Sequence, residues 1–155
     1  MVAQKEISSI LTDVAMAVLQ QLAFAFPEEA DESILDTLPE EHLVRAVVHF
    51  SGMENGSVAL TLPMDLAREL YDSIVGDDSA QEGDEVYIDS VKELANVVAG
   101  HFLSKMYGDD LSFKLSPPEY HESSRAEISE RADEHTYAYL QIESAPFLAS
   151  AHIGE

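Results

Sequence analysis

The chain has 155 residues, 46% of them hydrophobic, the size of one ordinary domain with a full core, so residues 1–155 are read as a single domain. It has no cysteine, which removes disulfides, thiol catalysis and thiolate metal sites. Eight Lys and Arg against thirty Asp and Glu give a net charge of −22, which repels a phosphate backbone and an anionic membrane surface alike; neither nucleic acid nor membrane is expected as a partner. The opening residues, MVAQKEISSILTDV, lack a cationic segment followed by an apolar one, and no apolar run approaches the roughly 20 residues that span a bilayer, so a cytoplasmic protein is expected.

Residues 7–26 carry Ile7, Ile10, Leu11, Val14, Val18, Leu22 and Phe26 at helical spacing, which predicts a first helix that Pro27 ends. Residues 28–41 form an acidic connector. HLVRAVVHF and GSVALTLP then read as two strands of a hairpin, joined by SGMENG. In PMDLARELYDSIVG, Pro63 suits a first helical turn, Leu66, Leu70 and Ile74 repeat at helical spacing, and Gly76 is a stop, which predicts a short second helix.

Residues 76–85 carry five carboxylates and no basic group, which suits a solvated loop before a long helix over about 86–107. The segment SFKLSPPEYHE reads as a strand that ends or bulges at Pro117 and Pro118, because proline cannot donate to a ladder. Residues 123–134 read as a polar stretch, and TYAYLQIES and APFLASAHI read as the last strands. A long helix followed by a hairpin thus occurs twice. An offset of 84 aligns Ile7, Ile10, Val14 and Val18 with Val91, Leu94, Val98 and Phe102. The expected fold is of α+β type, with two pseudo-repeated halves and long helices packed on an antiparallel sheet.

On the long helix, Val91, Leu94, Ala95, Val98, Phe102 and Met106 fall in one apolar arc. Asp89, Glu93, Asn96 and Gly100 fall on the opposite side, so they face out together. Two of these residues are locally unfavourable. Asp89 and Glu93 are like charges at i, i+4, and a mid-helix glycine costs about 1 kcal/mol relative to alanine. A solvated face with no other task more naturally carries Lys, Ala or Gln. On spacing alone, helix-dipole stabilisation of Asp89, a solvated Glu93 and a close backbone neighbour at Gly100 account for the stripe as well.

Asp89, Glu93 and Asn96 match the pattern Asp or Ser, three residues, Glu, two residues, Asn. In this the chain resembles the CheC/CheX family of chemotaxis phosphatases, in which a proline follows the Asn by about twenty-two residues. Pro117 and Pro118 lie there, Pro118 after 21 intervening residues. The order of helices and strands is similar as well.

The resemblance implies a phosphatase acting on the aspartyl phosphate of a CheY-type response regulator. Asn96 would orient the attacking water, Glu93 would pair with the partner's active-site lysine, and Asp89 or Ser90 would play a secondary part. Such a protein has no cofactor or metal of its own; Mg2+ would come with the phosphorylated partner. Gly100, one turn beyond Asn96, would clear space for the partner's loops. At the offset of 84 the first helix offers Lys5, Ser9, Thr12 and Met16, neither carboxylate nor amide, so one site is expected, as in the CheX branch, which also implies a homodimer built through edge strands of the second half. The runner-up reading is a non-catalytic adaptor that binds a receiver domain, since fold does not fix function. The six histidines include no i, i+3 or i+4 helical pair and are read as surface or core residues.

Overall fold

A computed structural model describes residues 3–75, 83–109, 112–132 and 134–154. In chain order the elements are α1 (Gln4–Ala23), β1 (Glu28–Glu29), a 3-10 helix (Glu32–Thr37), β2 (Leu43–Ser51), β3 (Gly56–Pro63) and α2 (Met64–Val75). Then come α3 (Asp84–Tyr107), β4 (Lys114–Leu115), β5 (Glu119–Ser123), α4 (Arg125–Glu130), β6 (Thr136–Ile142) and β7 (Ala145–Ile153). The strands form one seven-stranded antiparallel sheet in the order β1, β6, β7, β3, β2, with β4 and β5 both pairing with the far side of β2.

Period-two alternation gives the sheet two different faces. Val44, Ala46, Val48 and Phe50 of β2, Val58, Leu60 and Leu62 of β3, Leu140 of β6 and Phe147 of β7 face the helices and share one core with them. The other face carries a smaller cluster in which Leu43 and Leu148 pack with Ile34 and Leu38 near the 3-10 helix and with Ile128 of α4. Both long helices lie on the first face and pack on each other. Ile7, Leu11, Val14, Val18 and Leu19 are buried, and so are Val91, Ala95, Val98, Phe102 and Leu103, each 84 residues later. The two halves therefore use one helical frame.

Several expectations are corrected. α1 stops at Ala23, before Pro27, because Phe24 turns into the left-handed region (φ 54°) and its N–H bonds to the Leu19 carbonyl. Leu22 and Phe26 are consequently exposed. The acidic connector is not structureless: β1 pairs with β6, and Asp31 caps the 3-10 helix by accepting from the Ser33 N–H. The polar stretch hides α4, capped by Ser124, whose hydroxyl accepts from the Glu127 N–H. The long helix starts at Asp84, and the predicted loop before it falls at 76–82 outside the described residues.

At the two prolines the chain bulges. Phe50 pairs with Leu115 and Val47 with Glu119, so three residues, Ser116 to Pro118, lie opposite two on β2. The β6–β7 hairpin closes through Glu143 and Ser144, both left-handed (φ 50° and 72°), as a tight two-residue connection requires.

Candidate active site

The motif helix is held in place at its start. Asp84 and Glu85 occupy the first turn of α3, where acidic groups suit the positive end of the helix dipole. Arg68 of α2 donates to Asp65 and to Asp84, each at 3.0 Å. Its pKa is raised, first by the hydrogen bond to Asp84 and then by the attraction of Asp84 and Asp65. Exposed pairs of this kind set orientation more than they add stability. The same guanidinium lies 5.8 Å from the ring centre of Tyr87, and Tyr71 meets Tyr87 edge-on at 5.4 Å. Because Tyr87 is buried, this aromatic contact fixes the first turns of α3 against α2.

The stripe begins one turn further on. Asp89 and Glu93 are exposed, and Asn96 and Gly100 are half-buried on the same side; Ser90, also half-buried, lies about 100° round the helix from Asp89. The opposite side, Val91, Leu94, Ala95, Val98 and Phe102, is buried in the core. Met106, predicted for the apolar arc, is only half-buried and packs at the edge of that core. Three-residue spacing puts the Cβ atoms of Glu93 and Asn96 about 5–6 Å apart. Lys92 Nζ stands 3.9 Å from Asp89 Oδ1. Among the described residues neither the Glu93 carboxylate nor the Asn96 amide forms a hydrogen bond or ion pair, so both are uncommitted groups on an outward ridge.

Gly100 ends the ridge. A Cβ built there would meet nothing within 4 Å. Internal packing therefore does not explain the glycine, and the helical cost of about 1 kcal/mol has no counterpart inside the chain. Beside it opens a groove of about 190 Å³, bounded by Gly100 and Ser104 of α3 and by Phe113 and Leu115. Phe113 is held there by Phe50 at 5.8 Å and Tyr107 at 5.2 Å between ring centres. Sequence reading missed this groove, because α3 and the segment before β4 become neighbours only in the fold. It also missed Tyr120 of β5, 37% exposed, whose pKa is raised by burial first and then by Glu122 and Asp84. β5, which carries Tyr120, packs beside α3.

Two long helices packed on one antiparallel sheet form a fold seen in solved CheX proteins. Those of Vibrio vulnificus (TM-score 0.74, 15% identity, 99% of each chain covered) and Desulfovibrio desulfuricans (TM-score 0.70, 19% identity, 96% of this chain and 99% of that one) superpose along nearly their whole length. So does the CheX of Borrelia burgdorferi, solved as a CheX–CheY–BeF3–Mg2+ complex (TM-score 0.68, 17% identity, 95% and 97% covered). No curated protein matches the chain at a significant level. The family model for the chemotaxis phosphatase CheX matches residues 44–140, and the chain belongs to that family. No helix among the described residues is long and apolar enough to cross a membrane.

Proposed function

We propose that the chain hydrolyses the aspartyl phosphate of a CheY-type response regulator, with Asn96 orienting the attacking water and Glu93 pairing with the partner's active-site lysine. The observation that carries this reading is an unpartnered carboxylate and an unpartnered amide side by side on an outward helix ridge, in a chain of the CheX family. An acyl phosphate already has a good leaving group, and phosphoryl transfer is mainly positioning and charge stabilisation. Water attacks phosphorus in line as the bond to the partner's aspartate oxygen breaks; the carboxylate keeps the electron pair, and the water's proton is released with phosphate. An amide that holds that water on line suffices, with no strong base or nucleophile. The magnesium that neutralises the phosphoryl oxygens belongs to the partner. Asp89 and Ser90, one turn towards the N-terminus, assist in docking.

Gly100 is assigned to the approach of the partner. Since its Cβ position faces open space, Gly100→Ala and Gly100→Leu should both fold and should gain about 1 kcal/mol of helix stability. The leucine variant should nevertheless lose complex formation with a beryllofluoride-activated receiver domain and slow its dephosphorylation. A Gly100→Leu protein with wild-type turnover would remove Gly100 from the docking surface.

The homodimer belongs to this proposal too. β5 is exposed along Glu119, Tyr120, His121 and Glu122, and among the described residues it pairs on one side only, with β2, as an edge strand. Such an edge is a ready template for a second strand. Sedimentation should give twice the 17.0 kDa chain mass, and a monomer at micromolar concentration would contradict it.

A further inference from the structure

The second face of the sheet holds a concentration of cations that the phosphatase reading does not use. Only eight Lys and Arg are present in a chain of net charge −22. Two of them, Arg45 of β2 and Arg131 just after α4, come together there with His135, His152 and Tyr137. Helix α4, which Arg131 follows, packs its Ile128 on this face beside Leu43 and Leu148. Burial depresses the pKa of His135, the Arg131 backbone opposes this, and the charges of Arg45, His152 and Arg131 lower it further. The imidazole centres of His135 and His152 are 5.3 Å apart.

Within the cluster a single carboxylate among the described residues, Glu127, faces the two guanidinium groups. Arg45 is half-buried and has no hydrogen bond or ion pair among the described residues. Its pKa is lowered by burial and next by the like charge of Arg131, with Tyr137 and Glu127 acting weakly the other way. Arg131 Nη1 is buried without a hydrogen bond; its nearest carboxylate oxygen, on Glu127, is 3.8 Å away and already accepts from Ser123 Oγ at 3.1 Å. His135 Nδ1 is also buried without a partner, while His152 Nδ1 bonds to the Glu134 carbonyl at 2.8 Å.

The floor is polar as well. Thr61 lies opposite Arg45 and Ser150 opposite Tyr137 in the ladders, so they share this face. Each is 3% exposed, and neither hydroxyl is hydrogen-bonded among the described residues. A half-buried guanidinium without a partner, as at Arg45, and buried nitrogens without a hydrogen bond, as at Arg131 and His135, are costly unless something completes them.

The geometry points to a binding site for a small phosphate-class oxyanion, held by Arg45 and Arg131 with His135 and the hydroxyls of Thr61 and Ser150 beneath. Guanidinium forks match such oxygens two at a time, and a tetrahedral anion can use donors converging from several directions. The site is independent of the proposed phosphatase activity. β2 turns Arg45 to this face and Val44, Ala46 and Val48 to the helices, so the sheet separates it from the ridge on α3.

The test is titration of the whole chain with inorganic phosphate and with phenyl phosphate by calorimetry and thermal melting, with acetate and chloride at matched ionic strength as controls. Saturable binding and a raised melting temperature are expected with the phosphates alone, weakened about tenfold or more in Arg45→Gln and in Arg131→Gln. Arg45 has no partner to lose, so Arg45→Gln should melt no lower than wild type in phosphate-free buffer; if it does not fold, Arg131→Gln carries the test. Tighter binding of phenyl phosphate would assign the site to a phosphate ester, and tighter binding of inorganic phosphate to the free ion. Absence of saturation, an equal response to acetate, or unchanged binding in the folded variants would overturn the proposal.

Discussion

Asn96→Ala is expected to slow dephosphorylation of the receiver partner by about 10²-fold, the usual scale for losing the positioning of a reacting group, while leaving the fold and the partner's affinity nearly unchanged. The separation follows from where the side chain sits. Asn96 is half-buried on the outward ridge and makes no hydrogen bond within the described residues, so its truncation leaves no orphaned polar partner behind. Alanine is also the better helix former, so α3 is not weakened. What disappears is the amide that holds water in line with the phosphorus. Single-turnover decay of the phosphorylated receiver, measured beside binding to the beryllofluoride form, distinguishes lost chemistry from lost docking. Equal loss in both would mean that Asn96 serves recognition rather than water positioning.

Phe102→Ala is expected to behave in the opposite way. Phe102 is fully buried on the core side of the same helix, six residues beyond Asn96. Removing its ring forfeits apolar burial and leaves a cavity that the sheet and α1 fill only in part, at a cost of about 3–5 kcal/mol. Against a typical domain stability of about 5–15 kcal/mol this removes much of the folded state's margin. Chemical denaturation should show a lower midpoint with little change in slope. Activity should fall only as the folded fraction falls, and cooling should restore much of it, whereas cooling cannot restore Asn96→Ala. A Phe102→Ala protein as stable as wild type would show that the α3 core face is not the platform on which the ridge stands.

The elements that could be read from the sequence are those whose periodicity is long enough to carry information. β2 and β3 sit where the β-forming runs put them, and α3 was within two residues of its predicted start because Val91, Leu94, Val98 and Phe102 repeat over several turns. The errors have local causes. The apolar rhythm runs on to Phe26, but the helix ends where Phe24 adopts a left-handed conformation, a backbone choice that the hydrophobic pattern does not encode. α4 is six residues long with one buried apolar side chain, Ile128, so periodicity is silent and only the Ser124 to Glu127 capping pattern could have revealed it. The two-residue β1 depends wholly on pairing with β6, far away in the chain.

The site divides similarly. That Asp89, Glu93, Asn96 and Gly100 share one outward face followed from helix geometry, and the fold bears it out. Their chemical roles came from resemblance to a family, because an exposed carboxylate and amide have the same appearance whether they serve chemistry or solubility. The departure at the prolines has a structural counterpart in the one-residue bulge between β4 and β5. The groove beside Gly100 and the cation cluster on the far face could not be read from spacing, since each is assembled from segments that only the sheet brings together.

The most direct test of the central claim is the decay rate of a phosphorylated CheY-type receiver domain from the same cell, followed with and without the chain and again with the folded Glu93→Ala and Asn96→Ala variants. Accelerated release of phosphate is expected with the wild type, and none beyond the receiver's own rate with either variant. Acceleration that survives both substitutions, or a wild type that binds such receivers without hastening their decay, would contradict it.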